Sequence, residues 1–308
     1  MAAENISSAF PDVLTADFAD VFFGVLENTP SQLGKLFTNK DQGPRGDQWT
    51  VSNVGTQTDW DDFDDIGAVQ YSEVNQGYDV TLTHKEWVKG FSIQRKLLDD
   101  HKHGIFSGKP ESMGDAFFRT KEKHGARIFQ NANTIDSLFY NHSEGVPLVI
   151  NSHTTTSGAS TSTGFDNLVT DALSATAVAS ARIQMRKFRG DQAEIINVMP
   201  NELWVPIDLE EKAFEITKSS HKVDTDLNNV NFHQGSYTVY PWEYMTDTNN
   251  WFMCDGTIRK RNVFWIDRVG VEFKMVEEFD TFIHKWRGYS RYSNGYNDWR
   301  WVLGGIVS

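Results

Sequence analysis

Apolar residues with helical spacing and apolar residues with strand-like spacing occupy separate stretches of this sequence, and this separation constrains its fold most. Ser112–Asn133 and Thr163–Gly190 carry apolar residues at three- and four-residue steps, which predicts two helices. From about Tyr237 onward, aromatic and β-branched residues predominate without helical periodicity, which predicts long strands. Because helices and strands come in separate runs rather than alternating as βαβ units, we predict an α+β fold.

Local signals place the ends of several elements. Thr163 and Asp166 have the spacing of a capping box, so the second helix is expected to begin at Thr163 and to end at Gly190. Asp208 is expected to cap a short helix that runs through Ile216. The expected strands are Ile195–Val205, which Pro200 interrupts, Ile258–Phe273 and Phe279–Tyr289.

Alternating apolar and polar residues between positions 69 and 82 predict a two-stranded hairpin with one apolar face. Its first strand would carry Val69 and Tyr71, its turn would be Asn75-Gln76-Gly77, and its second strand would carry Tyr78, Val80 and Leu82. An isolated hairpin is marginally stable in water, so its apolar face needs a cover. That cover comes either from the same chain or from a second copy.

The N-terminal quarter of the chain is broken and acidic. Residues 8–38 combine helix-like fragments with Pro11 and Pro30, which predicts short helical pieces in an extended arm. Residues 1–66 contain 12 acids and 3 bases, whereas residues 85–127 contain 10 bases and 6 acids. Two interpretations stay open: a solvated acidic surface, or a self-complementary chain whose acidic arm lies on the basic face of another copy.

Five acids crowd into the seven residues from 59 to 65. Such crowding is repulsive unless water, a cation or the basic groups of a partner compensate it. A calcium loop of the EF-hand type is disfavoured, because the required glycine and distal glutamate are missing. The acids are Asp59, Asp61, Asp62, Asp64 and Asp65.

Composition excludes several classes of protein. The net charge of −13 argues against a protein that coats DNA, and the single Cys254 cannot form an intrachain disulfide or a cysteine-rich zinc cluster. No apolar run approaches the length of a membrane span, and the first residues lack the features of a signal peptide. We therefore expect a soluble protein of a reducing cytosol, with Cys254 as a small buried residue.

Searches for chemical motifs give no enzyme signature. The sequence contains no P-loop, no His-Glu-x-x-His helix and no Gly-x-Ser-x-Gly elbow, so we expect no catalytic, metal-binding or cofactor-binding residues. The 10 tryptophans and many carboxylates leave one alternative of another class, a Trp-rich carbohydrate-active enzyme or lectin.

Three stretches, taken in order, resemble the major capsid proteins of tailed bacteriophages with the Hong Kong 97-type fold. Phe91–Asp100 (FSIQRKLLDD) is similar to the segment that leaves the extended hairpin loop in that family. Met199–Ala213 resembles its Pro-x-x-Leu-x-Val-Pro-x-x-Leu-Glu-x-x-Ala string, and Arg287–Arg300 resembles its C-terminal Asp-Trp-Arg ending. The resemblance covers roughly residues 45–308, and the head subunits related to phage Mu are the most similar subgroup.

The resemblance implies a layout in six parts. These are an N-terminal arm (1–48), an extended β-hairpin loop (49–90), a peripheral domain with a long spine helix (91–153), an axial domain (154–255), return strands of the peripheral domain (256–290) and a C-terminal segment near the axial domain (291–308). The short arm leads us to expect either a separate scaffolding protein or none.

The resemblance also implies a function. The chain would assemble with itself into pentamers and hexamers that form an icosahedral or prolate head shell in the virion. It would enclose double-stranded DNA without sequence-specific binding, contact a portal protein and, in some systems, decoration proteins, with no membrane involved and assembly in the host cytoplasm. Within the same fold, an encapsulin-like nanocompartment is the alternative. The expected intersubunit contacts are Asp59, Asp61, Asp62, Asp64, Asp65, Tyr78, Val80 and Leu82.

Overall fold

The computed structural model describes residues 11–40, 46–60, 62, 67, 69, 71, 75–99, 106, 108–221 and 230–307. These residues combine helices with three sheets whose pairings are mostly antiparallel, which confirms the predicted α+β class. The helices stand between strands along the chain rather than in a separate run. The helices are α1 (Pro11–Asn28), α2 (Leu33–Leu36), α3 (Arg95–Asp99), α4 (Gly108–Gln130), α5 (Ala175–Met185), α6 (Glu210–Lys218) and α7 (Gly256–Asn262). None of the described helices is long and apolar enough to cross a membrane.

The strands form three sheets. They are β1 (Thr38–Asn39), β2 (Gln48–Val54), β3 (Gln76–Thr83), β4 (Lys85–Gln94), β5 (Tyr140–His142), β6 (Leu168–Val169), β7 (Glu202–Val205), β8 (Thr238–Pro241), β9 (Trp251–Cys254), β10 (Val263–Glu278), β11 (Ile283–Tyr296) and β12 (Val302–Gly305). Their orders are β1-β10-β11-β4, β6-β12-β9-β7-β8 and β2-β3-β5. The β10–β11 hairpin is the longest pairing, from Val263 opposite Tyr296 to Glu278 opposite Ile283.

Helix α1 covers one face of the four-stranded sheet. Phe18 packs on Trp286 with a ring-centroid distance of 5.4 Å, and Phe22 stacks on Phe273 at 5.1 Å. The expectation of short helical pieces is wrong here, because α1 is one continuous helix whose aromatic side chains find a sheet in the same chain. Pro11 does not break this helix but begins it, at the position where its missing N–H has no consequence.

Helix α4, predicted over 112–133, joins the four-stranded sheet to the rest of the chain. Lys121 donates to Asp267 on β10 at 3.1 Å. The neighbouring Glu122 is buried, and it accepts hydrogen bonds from Trp242 Nε1 at 2.8 Å and Ser31 Oγ at 2.5 Å. Burial raises the pKa of Glu122 in spite of these hydrogen bonds. The helix thus carries a charged side chain into the core and supplies it with partners from two distant segments.

The five-stranded sheet and α5 enclose the tryptophan-rich part of the core. Trp204, Trp251 and Trp301 are fully buried there. Asn167 ties the edge of this sheet together, because its side-chain amide donates to the carbonyl oxygens of Leu148 and Val302. Cys254 is also buried on β9, as predicted, and burial raises the pKa of its thiol.

The predicted hairpin has the right second strand and the wrong first strand. β3 pairs with β2, with Val51 opposite Val80, and not with a strand through Val69 and Tyr71. Val69 and Tyr71 are 59% and 91% exposed. β2 offers seven residues of alternating burial, and β5 adds pairing on the other side of β3, so this register satisfies more backbone groups. Gly77 lies within β3 rather than in a turn.

The helix predicted at Thr163 begins at Ala175 instead. Its cap is Ser174, whose side chain accepts from the backbone N–H of Ala177 at 3.1 Å. Asp166 makes a local bond to the N–H of Leu168, which leads into β6 rather than into a helix. The capping-box prediction fails because two polar residues with the right spacing also suit an extended segment held by side-chain hydrogen bonds.

Three smaller predictions also need correction. Asp208 does not cap a helix: it lies in the 3-10 turn Ile207–Leu209, and the cap position of α6 has no side-chain hydrogen bond. Of the strand expected over 195–205, only Glu202–Val205 forms. The strand expected from Ile258 begins at Val263, because Asp255 Oδ1 accepts from two backbone N–H groups and starts helix α7.

Candidate interaction surfaces

The β2–β3 hairpin is fixed to the rest of the chain at the base of the loop that connects its two strands. Thr56 and Asp191 exchange two hydrogen bonds, Asp191 N to Thr56 Oγ1 at 2.7 Å and Thr56 N to Asp191 Oδ2 at 3.3 Å. Next to them, the N–H of Gly55 donates to the carbonyl oxygen of Asn75 at 2.8 Å and closes the loop between the strands. Beyond this point the described residues of the loop project into solvent.

The motif Asp298-Trp299-Arg300 supplies the positive charge that pairs with Asp191 at this position. Arg300 donates from Nη2 to Asp191 Oδ1 at 2.9 Å and from Nε to the carbonyl oxygen of Arg189 at 2.7 Å. Asp298 accepts from Arg300 Nη1 at 3.1 Å. Trp299 stacks flat on His153, with ring centroids 4.1 Å apart. The motif is therefore a structural clamp between the C-terminus, the segment after α5 and the root of the hairpin.

A buried carboxylate completes this region. Glu144 accepts from the backbone N–H of Thr154 at 2.8 Å and lies 3.1 Å from His153 Nδ1. Burial alone would raise the pKa of Glu144, but the hydrogen bonds and the nearby imidazole lower it. Burial lowers the pKa of His142, whose Nε2 lies 3.1 Å from the carbonyl oxygen of Asn297. These groups line a small cleft of about 120 Å³, and each has a protein partner, which indicates a structural role.

The sequence-predicted contact residues separate into three sets. Val80 and Leu82 are 3% and 1% exposed in the chain's own core, so their prediction as neighbour contacts is wrong: β11 of the same chain packs against this apolar face, with Gly295 next to Leu82. Tyr78 is half-buried, and its hydroxyl hydrogen-bonds Thr154 Oγ1 at 2.6 Å. Asp59 and Asp62 are exposed, whereas Asp61, Asp64 and Asp65 lie outside the described residues.

An uncovered aromatic residue stands between the acids of this loop. Trp60 is 99% exposed, although the other nine tryptophans of the chain are buried or half-buried. An indole in water exposes a large apolar surface, and tryptophan is the residue most enriched among the energetic anchors of protein interfaces. The loop 55–75 therefore presents an apolar side chain within a strongly acidic stretch.

A second surface has the opposite character. A cleft of about 240 Å³ opens between α4 and the edge strand β4. Its floor is apolar and its rim is basic, with Lys89, Arg119 and Lys123 exposed. None of these three cations has an ion-pair partner within the described part of the chain. The apolar lining residues are Phe22, Trp87, Val88, Met113, Ala116 and Phe117.

Sequence reasoning missed this cleft because four elements distant along the chain build it. Only its charge left a signal, in the excess of bases over residues 85–127. The sequence likewise does not distinguish Trp60 from the nine buried or half-buried tryptophans. Solvent exposure decides whether an aromatic side chain belongs to the core or to an interface. The sequence of an irregular loop has no periodicity from which this exposure could be predicted.

The tip of the β10–β11 hairpin forms a third exposed surface. Phe279 is 89% exposed and Phe282 is 58% exposed at the turn between the strands. Phe282 has a φ of 50°, a left-handed conformation that costs free energy for a bulky residue. Exposed apolar residues that lie next to each other, as at this tip, indicate an interaction site more often than a single exposed apolar residue does.

Chemistry on bound small molecules finds no support in the described residues. No group of three or more His, Cys, Asp or Glu side chains among them is arranged to hold a metal ion. The carbohydrate alternative needs tryptophans that are free to stack on sugars, but seven of the ten are buried and two are half-buried. The prominent features of this molecule are thus projecting loops and a complementary cleft.

Comparisons with known proteins agree on one family. The family model described as phage capsid protein matches residues 77–304, which include the three stretches noted in the sequence. Among solved structures, the Bacteriophage JBD30 capsid is 13% identical, covers 74% of this chain and 95% of its own, and has a TM-score of 0.54. Mycobacterium phage Che8 is 11% identical over 89% and 90% of the two chains, also with a TM-score of 0.54. A comparison with curated protein sequences finds no match.

Another solved structure extends the likeness over most of the molecule. Microbacterium phage Oxtober96 is 12% identical, covers 91% of this chain and 92% of its own, and has a TM-score of 0.54. At such identities the likeness is one of fold, and it confirms the Hong Kong 97-type fold predicted from the sequence. The subgroup related to phage Mu stays a prediction.

Proposed function

The chain belongs to the phage capsid protein family and is a structural protein of the virion shell, and from this premise we propose how it assembles. Copies of the chain form pentamers and hexamers that close into an icosahedral or prolate head. The contacts between copies are its whole biochemical activity, with no catalytic step. The observation that carries this proposal is the exposure of Trp60, which is 99% accessible to solvent and has almost no contact within the described part of the chain.

The six-part layout predicted from the sequence fits this role. The β2–β3 hairpin within residues 49–90 supports the projecting loop, and α4 within residues 91–153 forms the spine of the peripheral domain. Four strands of the tryptophan-rich sheet lie within residues 154–255 and form the axial domain around which rings close, and β12 completes that sheet from the C-terminal segment. Residues 256–290 return to the peripheral sheet, residues 291–308 also clamp the base of the loop between β2 and β3, and the arm over residues 1–48 includes the docked helix α1.

Contacts with neighbours are proposed for the acids of the loop. Asp59, Asp61, Asp62, Asp64 and Asp65 contact basic groups of an adjacent copy, and Tyr78 lies close to that contact. Because opposite charges on two copies attract over distances near the Debye length, these acids speed correct encounters and fix their register. Deletion of the aromatic and acidic surface would leave the fold intact and impair only assembly.

The other partners follow from the function of a head shell. The shell encloses double-stranded DNA without sequence-specific contacts, and the net charge of −13 keeps phosphate from adhering to its inner wall. A portal protein occupies one vertex, and separate scaffolding and decoration proteins are further partners. Assembly takes place in the host cytoplasm, before the DNA enters.

Light scattering and negative-stain microscopy of the purified full-length chain test this proposal. We expect hollow particles, or rings of five and six copies that convert to particles at higher protein concentration. Particles that form in the absence of nucleic acid and recruit a cargo enzyme instead would support the encapsulin-like alternative. A chain that stays monomeric under all conditions of salt and concentration would contradict the proposal.

A further inference from the structure

We propose that Trp60 of one copy inserts into the cleft between α4 and β4 of the adjacent copy, where Lys89, Arg119 and Lys123 bind the acids beside it. The inference rests on the proposed function and identifies the two surfaces that meet. It assigns the contact to described residues on both sides: Asp59, Trp60 and Asp62 on the loop, and the lined cleft on the receiving copy.

The cleft has the size and lining that an indole requires. An apolar cavity of about 150 Å³ holds a benzene molecule, so the volume of about 240 Å³ accommodates the larger bicyclic ring. Trp87 and Phe117 supply aromatic surfaces, and Met113 supplies a polarisable side chain suited to contact with an aromatic ring. The chain's own Trp60 does not fill its own cleft, since it is 99% exposed.

Charge identifies the occupant as a second copy. The rim cations have no ion-pair partner in the described part of the chain, and Arg119 and Lys123 lie one helical turn apart, where like charges repel. The loop carries the opposite excess, five acids in seven residues. Bringing the two together relieves both repulsions at once. A second copy is always present at equal concentration, which no other partner guarantees.

The geometry of such a contact also suits ring closure. Loop and cleft are different surfaces of one chain, so the contact is heterologous, head to tail. A heterologous contact repeats around a ring when its rotation closes and otherwise continues as an open chain. One contact of this kind per copy gives every subunit of a pentamer or hexamer one donated and one received loop.

Site-specific crosslinking tests the contact directly. Chains carrying Thr58→Cys, which keep Trp60, and chains carrying Lys123→Cys are mixed, assembled and treated with a short bismaleimide. The native Cys254 is fully buried and gives no background. We expect a covalent dimer on a denaturing gel from the mixture and none from either variant alone. Because Thr58 and Lys123 are exposed, neither substitution disturbs the fold.

Glu215→Cys is the matched control for the receiving position, because Glu215 is exposed on α6, away from the cleft. A dimer of equal yield with Glu215→Cys, or particles without the 58–123 crosslink, would overturn the inference and leave the proposed function standing. A wild-type chain that never assembles would overturn both.

Charge reversal gives an independent readout. Arg119→Glu with Lys123→Glu is expected to slow assembly about tenfold at low salt, since complementary charge governs association rates. Adding Asp59→Lys and Asp62→Lys to the same chain is expected to restore the rate. Failure of this second pair to restore assembly, in chains whose circular dichroism is unchanged, would count against the contact.

Discussion

Glu202, which lies in the capsid-like string Met199–Ala213, forms a buried ion pair with Arg259 in the core. Arg259 binds both carboxylate oxygens of Glu202 at 2.8 Å, and it also donates to the carbonyl oxygen of Leu36. Both side chains are nearly fully buried. The sequence marked Glu202 as part of a recognisable string, but it gave no sign of the partner, because that partner is 57 residues away. Burial decides the role of this acid, and burial depends on the whole fold.

Replacement of Arg259 by methionine is expected to destabilise the chain by about 3–5 kcal/mol, because it leaves Glu202 buried without its cation. Urea unfolding of the unassembled protein, followed by circular dichroism, measures the change in the free energy of unfolding. Lys260→Met is the control, since Lys260 is the exposed neighbour on the same helix and is expected to change stability by less than about 0.5 kcal/mol. Equal effects of the two variants would refute the role of the pair.

His124 on α4 predicts a dependence of stability on pH. Burial first, and then the nearby Arg127, lower its pKa from 6.5 to about 4, and its Nδ1 lies 2.8 Å from the Tyr292 hydroxyl. Below pH 6.5 the unfolded chain binds a proton that the folded chain does not, so stability falls as the pH decreases from 6.5 towards 4. The loss due to this residue is about 2–3 kcal/mol, with allowance for partial exposure.

The variant His124→Gln is expected to flatten the pH dependence of the urea midpoint between pH 6.5 and 4. His221→Gln is the control, because its side chain is exposed. The slope will not vanish, since burial also lowers the pKa of His84 and His142. An unchanged slope in His124→Gln would show that this histidine is protonated in the folded state.

At the scale of elements, long periodic patterns were predictable and short ones were not. Helix α4 lies within four residues of its predicted ends, because its apolar side chains are packed from one end to the other: Met113 lies against the four-stranded sheet and Phe129 against the five-stranded sheet. Two long strands near β10 and β11 were expected from composition, but their bounds differ and their pairing as a hairpin was not predicted. The start of α5 and the pairing of β3 were not predicted, because both depend on residues distant in the sequence. Asn167 donates to the carbonyl oxygens of Leu148 and Val302, which keeps the segment before α5 extended, and β5 pairs with β3. Tertiary contacts decide such segments, and local sequence does not encode them.

The clamp at the base of the loop between β2 and β3 gives a prediction at this scale. Asp191→Ala removes the acceptor of Thr56 N and the partner of Arg300 Nη2, so this end of the hairpin is expected to open more often. We expect amide hydrogen exchange of residues 53–56 to become about tenfold faster, which corresponds to a loss of about 1–2 kcal/mol of local stability. Asp298→Asn is the control, because Asp298 contacts Arg300 but not Thr56. Faster exchange in both variants would assign the effect to Arg300 alone.

At the scale of the whole molecule, charge is distributed so that one chain contains both sides of a contact. Residues 1–66 have an excess of nine acids, and residues 85–127 have an excess of four bases. The sequence alone allowed a solvated acidic surface as well. The fold favours self-complementarity, since it leaves Trp60 exposed among the acids and places Lys89, Arg119 and Lys123 around an apolar cleft.

Replacement of all five acids of the loop by asparagine is expected to weaken assembly at low salt and to flatten its salt dependence. In the wild type, added salt screens the attraction between copies and slows assembly, whereas the variant has lost that attraction already. Static light scattering between about 20 and 500 mM salt, a span that takes the Debye length from well above to well below 10 Å, measures both effects. The acids are Asp59, Asp61, Asp62, Asp64 and Asp65.

A control separates this local effect from the change in net charge. Five exposed acids elsewhere are replaced by their amides, which gives the same net charge of −8, since −13 plus 5 is −8. These acids are Asp171, Asp208, Glu211, Glu215 and Glu243. If lower net charge alone governed assembly, both variants would assemble faster than the wild type, because repulsion between copies falls equally. If the loop acids bind the basic cleft, only the loop variant assembles more slowly, and its salt curve alone becomes flat. Equal behaviour of the two variants would therefore contradict the contact between loop and cleft.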